Sequence, residues 1–298
     1  MIENLDDLFV AVKKNEPKKI VIAAAEDEGI ITLVKDCVER GIAEFILVGD
    51  KEKIRVLLEC QDIDYRNLEI TDRPDPREAA EEAVTLVKSA KADVIMKGDL
   101  HTSTFLKAIL DKNNGLRKGG LISQVTLCEK MDGHGLQLLT DCAMNISPDL
   151  NEKKQIIQNA VELAVKLGYE KPRVAVLSAL EAVNPAMPDT VDAAILSKMA
   201  DRGQIKNAII DGPFALDNAI SISAAEQKNI GGEVAGRADI LLMPNLQVGN
   251  ALHKALTYYA QKRIAAAIMG TQVPIVMTSR TDSIDTKLLS IVLAIYIS

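Results

Sequence analysis

The chain has 298 residues, 48% of them hydrophobic and 26% charged, which suits a soluble globular protein of one large or two ordinary α/β domains. A net charge of −7, no Trp and only 3% aromatics argue against nucleic acid as a partner, since nucleic acid requires a basic face and stacking rings. No uninterrupted apolar stretch reaches the roughly 18 residues of a membrane span, and the acidic opening Met1-Ile-Glu-Asn-Leu-Asp-Asp does not read as a signal or transit peptide, so the cytoplasm is the expected location and no membrane partner is expected.

Four scattered cysteines (Cys37, Cys60, Cys128, Cys142) form no C-x-x-C pair, and only three histidines accompany them. A zinc site is therefore not expected, and the cysteines read as reduced core or near-core thiols. His134, between two glycines, reads as a surface turn residue.

Residues 5–15 have the pattern of an amphipathic helix. Ile20–Ala25 reads as a strand, and a helix follows through Val34 and Val38 to Arg40. The alternation continues with a strand at Phe45–Val48, a helix at Lys51–Cys60, a short strand at Leu68–Ile70 and a helix entered from the turn Arg73–Arg77. Short apolar strands separated by helices of 10–15 residues are the signature of βαβ units and a mostly parallel sheet.

The next strand, Asp93–Met96, leaves through Lys97-Gly98-Asp99-Leu100-His101-Thr102-Ser103-Thr104. A lysine and glycine at a strand end, with three hydroxyls at the start of a helix, can cradle an anion. The competing reading makes Thr102 to Thr104 ordinary helix caps. After the basic turn at 115–120, the runs Leu121–Leu127 and Leu136–Leu139 are spaced as antiparallel strands.

The βαβ rhythm restarts near residue 145. Helices are expected at Ile156–Leu167 and Asp189–Arg202, strands at Val174–Leu177, Ala208–Ile210 and Asp239–Met243, and a long helix through Leu252, Leu256, Ile264 and Ile268. Near the end, Val273-Pro-Ile-Val-Met-Thr-Ser279-Arg280 reads as a buried strand halting at hydroxyls and a guanidinium, and an apolar helix starts at Ile284. Such a corner at the carboxyl end of a strand offers backbone N–H groups and a charged fork to a phosphate-like anion. Asp99, Asp141, Asp211 and Asp217 also fall at strand ends, where many aspartates serve only as turn or cap residues. No dinucleotide fingerprint, Walker loop or nucleophile elbow is present.

Taken together, Thr140-Asp141-Cys-Ala-Met-Asn145-Ile-Ser-Pro148-Asp149, Val183-Asn184-Pro-Ala-Met-Pro188, Ala208-Ile-Ile-Asp211-Gly212-Pro-Phe-Ala-Leu-Asp217-Asn218, Ala238–Asn250 and Thr278-Ser279-Arg280 resemble the phosphate acyltransferase family, its butyryl branch more than its acetyl branch. The likeness runs through nearly the whole chain in order. It implies the reaction acyl-CoA + phosphate ⇌ acyl phosphate + CoA on short or branched acyl chains, with coenzyme A as substrate, no bound cofactor and no metal. It further implies two α/β domains with mostly parallel sheets, similar to isocitrate and isopropylmalate dehydrogenases, with the active site in the interdomain cleft and a homodimer or larger homo-oligomer. On this reading residues 1–140 plus 271–298 form the first domain and 141–270 the second.

By the same resemblance Ser279, Arg280 and Asp285 would be catalytic, Asp285 lying one residue closer to Arg280 than the carboxylate of the acetyl branch. Lys97, Thr102, Ser103, Thr104 and Lys107 would hold phosphate, Lys107 standing where the acetyl branch has an arginine. Asp141, Asn145, Asn184, Asp211, Asn245, Gly249 and Asn250 would hold CoA or the acyl group. Three rivals stand beside this reading: a phosphate acetyltransferase, an NAD- and metal-dependent β-decarboxylating dehydrogenase of related fold, and a non-catalytic domain sensing acyl phosphate or CoA.

Overall fold

The computed structural model describes residues 1–63, 68–131, 133–279 and 281–298. The elements of the first half are α1 (Leu5–Val12), β1 (Lys18–Ala23), α2 (Glu28–Glu39), β2 (Ala43–Gly49), α3 (Lys51–Cys60), β3 (Glu69–Asp72), α4 (Pro76–Lys88), β4 (Val94–Lys97), α5 (Thr102–Ile109), β5 (Ser123–Glu129) and β6 (Leu136–Thr140). The second half contributes α6 (Leu150–Lys166), β7 (Arg173–Leu177), α7 (Pro188–Asp201), β8 (Ile209–Phe214), α8 (Leu216–Ile220), α9 (Ile222–Gln227), β9 (Ile240–Leu242), α10 (Leu246–Tyr258), β10 (Ile264–Met269), β11 (Ile275–Val276) and α11 (Ile284–Ile297). Among the described residues no helix is long and apolar enough to cross a membrane.

The chain divides into two compact units. The terminal unit comprises Asp6–Gly119 and Ala265–Ser298, and its strands run in the order β3-β2-β1-β4-β11-β10. All its strand pairs are parallel except β10 with β11. Its central strands are buried on both faces, as the apolar runs Ile20–Ala23 and Val94–Met96 demand of strands covered by helices on each side. Helix starts are set by carboxylates: Asp27 Oδ1 accepts from Ile30 N at 3.0 Å, and Asp75 caps α4 just ahead of Pro76. The last helix, α11, packs against α2 and β11, and ten of its fourteen residues are buried.

The central unit comprises Met1–Leu5 and Gly120–Ile264, with strand order β5-β6-β9-β7-β8. As the spacing of their apolar runs predicts, β5 and β6 are antiparallel. β6, β9, β7 and β8 pair in parallel. Asp149 and Glu152 close a reciprocal capping box at the start of α6. Buried Asp239, at the entrance of β9, is bound by Arg173 through two guanidinium bonds of 2.9 Å and by Lys130 at 2.6 Å.

The long helix expected through Ile264 and Ile268 is corrected by the structure: α10 ends at Tyr258 and Ile264–Met269 is a strand. Every residue of that strand is buried. A strand covered on both faces loses its alternation and presents a solid apolar run, here with three alanines that equally suit a helix. The short helices α8 and α9 also went unforeseen, each being too brief to carry a helical period.

Candidate functional site

In the terminal unit the β4–α5 crossover is drawn tightly against the end of β1. Gly98 N donates to Ala23 O at 2.9 Å and Asp99 N to Ala24 O at 2.7 Å. A Cβ at residue 98 would overlap the Ala24 carbonyl, so the position requires glycine. Lys97 is only 7% exposed, and its Nζ donates to Gly98 O at 3.1 Å and Leu100 O at 2.9 Å. A buried ammonium has to be hydrogen-bonded. Here it ties down the loop that follows its own strand.

A cavity of about 90 Å³ opens at this corner, lined by Lys97, Gly98, Asp99, Thr278, Ser279 and Lys287 over Asp27 and Ile30. The structure thereby brings together two residues that lie far apart in the chain, Lys97 and Ser279. Ser279 is set by a compact turn: its N–H donates to Asp282 Oδ2 at 2.7 Å, Asp282 N returns to Ser279 O at 3.1 Å, and Ser279 Oγ lies 3.0 Å from Thr281 Oγ1. Arg280, the guanidinium of the expected site, lies outside the described residues. Asp285 stands exposed in the first turn of α11 and does not line the cavity.

The hydroxyls after β4 are not caps. His101 occupies the cap position of α5 without a side-chain bond, and Thr102 and Ser103 are exposed in the first turn, with Thr104 half-buried. Lys107 is exposed in the last turn. None of these four lines the small cavity.

The central unit carries a groove of about 1010 Å³ at the ends of β7 and β9, between α7 and α10. It is largely apolar, with Val248, Ala251, Leu252 and Ala255 of α10 along one wall. Two polar pairs edge it: Lys153 with Asp192 at 2.7 Å, and Ser178 Oγ donating to Asp189 Oδ2 at 2.6 Å. Asn245 is the one sequence-selected residue that lines it, and its side chain caps α10 by accepting from Val248 N at 3.0 Å.

The other selected residues of this unit shape turns. Asp141, 3% exposed, accepts from the backbone N–H groups of Gln124, Ala143, Met144 and Asn145 and from Asn145 Nδ2 at 2.5 Å. Burial holds its carboxyl above the usual carboxylate range, and these donors offset only part of the rise. Asn145 Nδ2 also reaches Ile122 O at 2.9 Å. Gly249 packs directly on the Asp141 carbonyl, and Asn250 Nδ2 lies 3.4 Å from Cys142 O. Asn184 folds its own loop, its Oδ1 accepting from Ala186 N at 3.0 Å. Asp211 accepts from Gly212 N at 2.8 Å.

Cys37, Cys128 and Cys142 are buried thiols as expected, whereas Cys60 is exposed at the end of α3 and is corrected to a surface residue. His134 is exposed in the β5–β6 turn. Thr278 belongs to the hydroxyl–arginine corner read from the sequence, whereas Lys287 and Asp27 were not selected, because a lysine after a helix start ordinarily faces solvent and an aspartate before one ordinarily caps it.

The model of the phosphate acetyl/butaryl transferase family matches residues 5–82 and 76–295. The chain is 46% identical over 294 residues to the phosphate butyryltransferase of Clostridium acetobutylicum, covering 99% of this chain and 98% of that protein. Among solved structures, a branched-chain phosphotransacylase from Enterococcus faecalis V583 is similar at a TM-score of 0.82 and 33% identity, over 94% of this chain and 98% of that one. A 4-hydroxythreonine-4-phosphate dehydrogenase from Klebsiella pneumoniae shares the fold, with a TM-score of 0.59 at 14% identity over 94% of this chain and 99% of that one.

Proposed function

The chain belongs to the phosphate acetyl/butyryl transferase family, and on that premise we propose that it exchanges a short or branched acyl group between coenzyme A and inorganic phosphate, acyl-CoA + phosphate ⇌ acyl phosphate + CoA. It is an acyltransferase, and the mixed α/β architecture with mostly parallel sheets is dehydrogenase-like. The dehydrogenase reading is not favoured, since its structural relative shares the fold alone.

The observation that carries the proposal is the corner joining Ser279 to Lys97 around a small polar cavity. In the forward direction a phosphate oxygen attacks the thioester carbonyl, the C–S bond breaks, and the CoA thiolate leaves. We assign phosphate to this corner, with Arg280 offsetting its charge and the Ser279 hydroxyl donating to its oxygens. Thr102, Ser103 and Thr104, which do not line the cavity, are proposed as neighbouring phosphate contacts at the start of α5. Lys97 sets the loop, and Lys107 adds positive charge on the outer face of α5. In the reverse direction a thiol of pKa about 8.5 must lose its proton. Asp285 is the proposed acceptor and, being exposed, would act through one water. The step requires no metal or bound cofactor.

For the CoA and acyl side we propose the turn built by Asp141 and Asn145, the loops of Asn184 and Asp211, and the start of α10 at Asn245, Gly249 and Asn250. A groove of about 1010 Å³ at Asn245 is ample for an extended organic ligand, for which pockets run to roughly 1,000 Å³. A cytoplasmic homodimer or larger homo-oligomer completes the proposal.

The test is CoA release from a panel of acetyl-, butyryl- and isobutyryl-CoA with and without phosphate. Phosphate-dependent release that favours the longer chains supports the butyryl reading. Preference for acetyl-CoA supports the acetyl alternative, and release from none overturns both.

A further inference from the structure

Two ammonium groups line the small cavity of the terminal unit, and their situations differ. Lys97 is committed to the carbonyls of Gly98 and Leu100. Lys287 makes no such commitment. Its side chain is half-buried, and among the described residues no carboxylate lies within ion-pair distance of its Nζ. The ammonium is positioned over the start of α2: a Cβ on Gly29 would stand 4.0 Å from Lys287 Nζ and 3.2 Å from Asp27 Oδ1.

The sequence neighbours of Lys287 explain its direction. Thr286, one residue beyond Asp285, is buried, and Ser283 Oγ donates to its hydroxyl at 3.1 Å. Leu288 is buried as well. With 286 and 288 turned inward, residue 287 is carried to the side of the helix that faces the cavity.

The cavity's charge and size identify what it takes. Its other polar groups are the hydroxyl-bearing Thr278 and Ser279 and the carboxylates of Asp27 and Asp99. Asp27 already caps α2 through Ile30 N, and Asp99 has interactions of its own. At about 90 Å³ the space is far below the roughly 300 Å³ where pockets for organic ligands begin, so it suits a small ion and excludes the body of coenzyme A. Lys287, which has no carboxylate within ion-pair distance among the described residues, and the two hydroxyls beside it can all donate to a small oxyanion.

We infer that Lys287 binds the inorganic phosphate, or the phosphoryl group of acyl phosphate, as a direct contact at this corner. The inference rests on the acyltransferase reading above and adds to it a residue that neither Ser279 nor Arg280 duplicates.

The experiment compares wild type with Lys287→Met, Lys287→Arg and, as a surface control, Lys198→Met. Steady-state kinetics should show KM for phosphate raised roughly tenfold or more in Lys287→Met, with KM for acyl-CoA within about twofold, and most of the loss restored in Lys287→Arg. Phosphate should also raise the Tm of the wild type and of Lys198→Met but not of Lys287→Met. An unchanged KM for phosphate, an equal rise in both KM values, or a Tm response preserved in Lys287→Met would overturn the assignment. If the wild type released CoA from no acyl-CoA yet the phosphate-dependent Tm shift vanished in Lys287→Met, the reaction would be refuted while the anion contact stood.

Discussion

Gly249 in α10 lies directly against the main-chain carbonyl of Asp141, so close that a Cβ at residue 249 would overlap the oxygen. The contact presses the first turn of α10 onto the turn that Asp141 folds with its own carboxylate. Gly249→Ala therefore has to move backbone, not a flexible side chain. We expect a loss of about 1–3 kcal/mol, read as a lower Tm in thermal unfolding. A variant as stable as the wild type would show that this packing is loose.

Arg280→Ala should fold normally and lose roughly 10²–10³ in acyl-phosphate formation, the usual effect of removing one charged contact made in the transition state. Near-complete retention of turnover would remove Arg280 from the mechanism.

Asp285→Asn separates proton transfer from phosphate binding. Loss of a general base typically costs about 10²–10⁴, and because a fixed equilibrium constant links the two directions, kcat/KM should fall in both. Unchanged rates in both directions would exclude this carboxylate.

Asp239 anchors the central unit. Burial pushes its carboxyl up, but Arg173 and Lys130 more than offset this and hold it below the usual carboxylate range. A depressed folded value contributes stability above the unfolded pKa of about 3.9, and that stability is lost as pH falls through the folded value. Arg173→Met leaves the buried carboxylate to Lys130 with its other oxygen short of donors and should cost about 1–3 kcal/mol. Urea unfolding at pH 7 measures it, and a loss under about 1 kcal/mol would mean that Lys130 alone suffices.

Glu26, just beyond β1, shows the opposite sign. Among the described residues its Oε2 is buried without a hydrogen-bond partner, and burial raises its carboxyl above the ordinary value. Ionisation then opposes folding, so this contribution to stability improves as pH falls from neutral through the raised value and levels off below the unfolded one. Glu26→Gln should be at least as stable as wild type at pH 7 and should flatten the Tm–pH curve in the mildly acidic range. A Gln variant less stable at pH 7 would show that the charge has an unseen partner.

Thiol labelling of the native protein should modify Cys60 alone. Burial pushes Cys37 up to about 12 and Cys128 up to about 11, and raises Cys142 as well. Rapid labelling of more than one thiol per chain would contradict this burial.

Much of the architecture was readable because it is local. Apolar runs such as Ile20–Ala23 and Val94–Met96, separated by helices with Asp27, Asp75 or Asp149 at their caps, state strand, helix and parallel pairing without help from distant residues. Where local patterns are degenerate, the reading failed. Ile264–Met269 is apolar on both faces, so only its place in the sheet beside β11 makes it a strand.

The candidate site divides the same way. Residue types and order alone determined the family, the hydroxyl–arginine corner at 278–280, and the lysine and glycine after β4. Three matters were left to tertiary structure: that Ser279 meets Lys97, that Asp141 spends its oxygens on its own turn, and that Lys287 rather than Asp285 faces the cavity. The reason is physical. A helix or cap is written in neighbours a few residues apart, whereas the free valence of a charged side chain depends on which distant groups the fold has already given it.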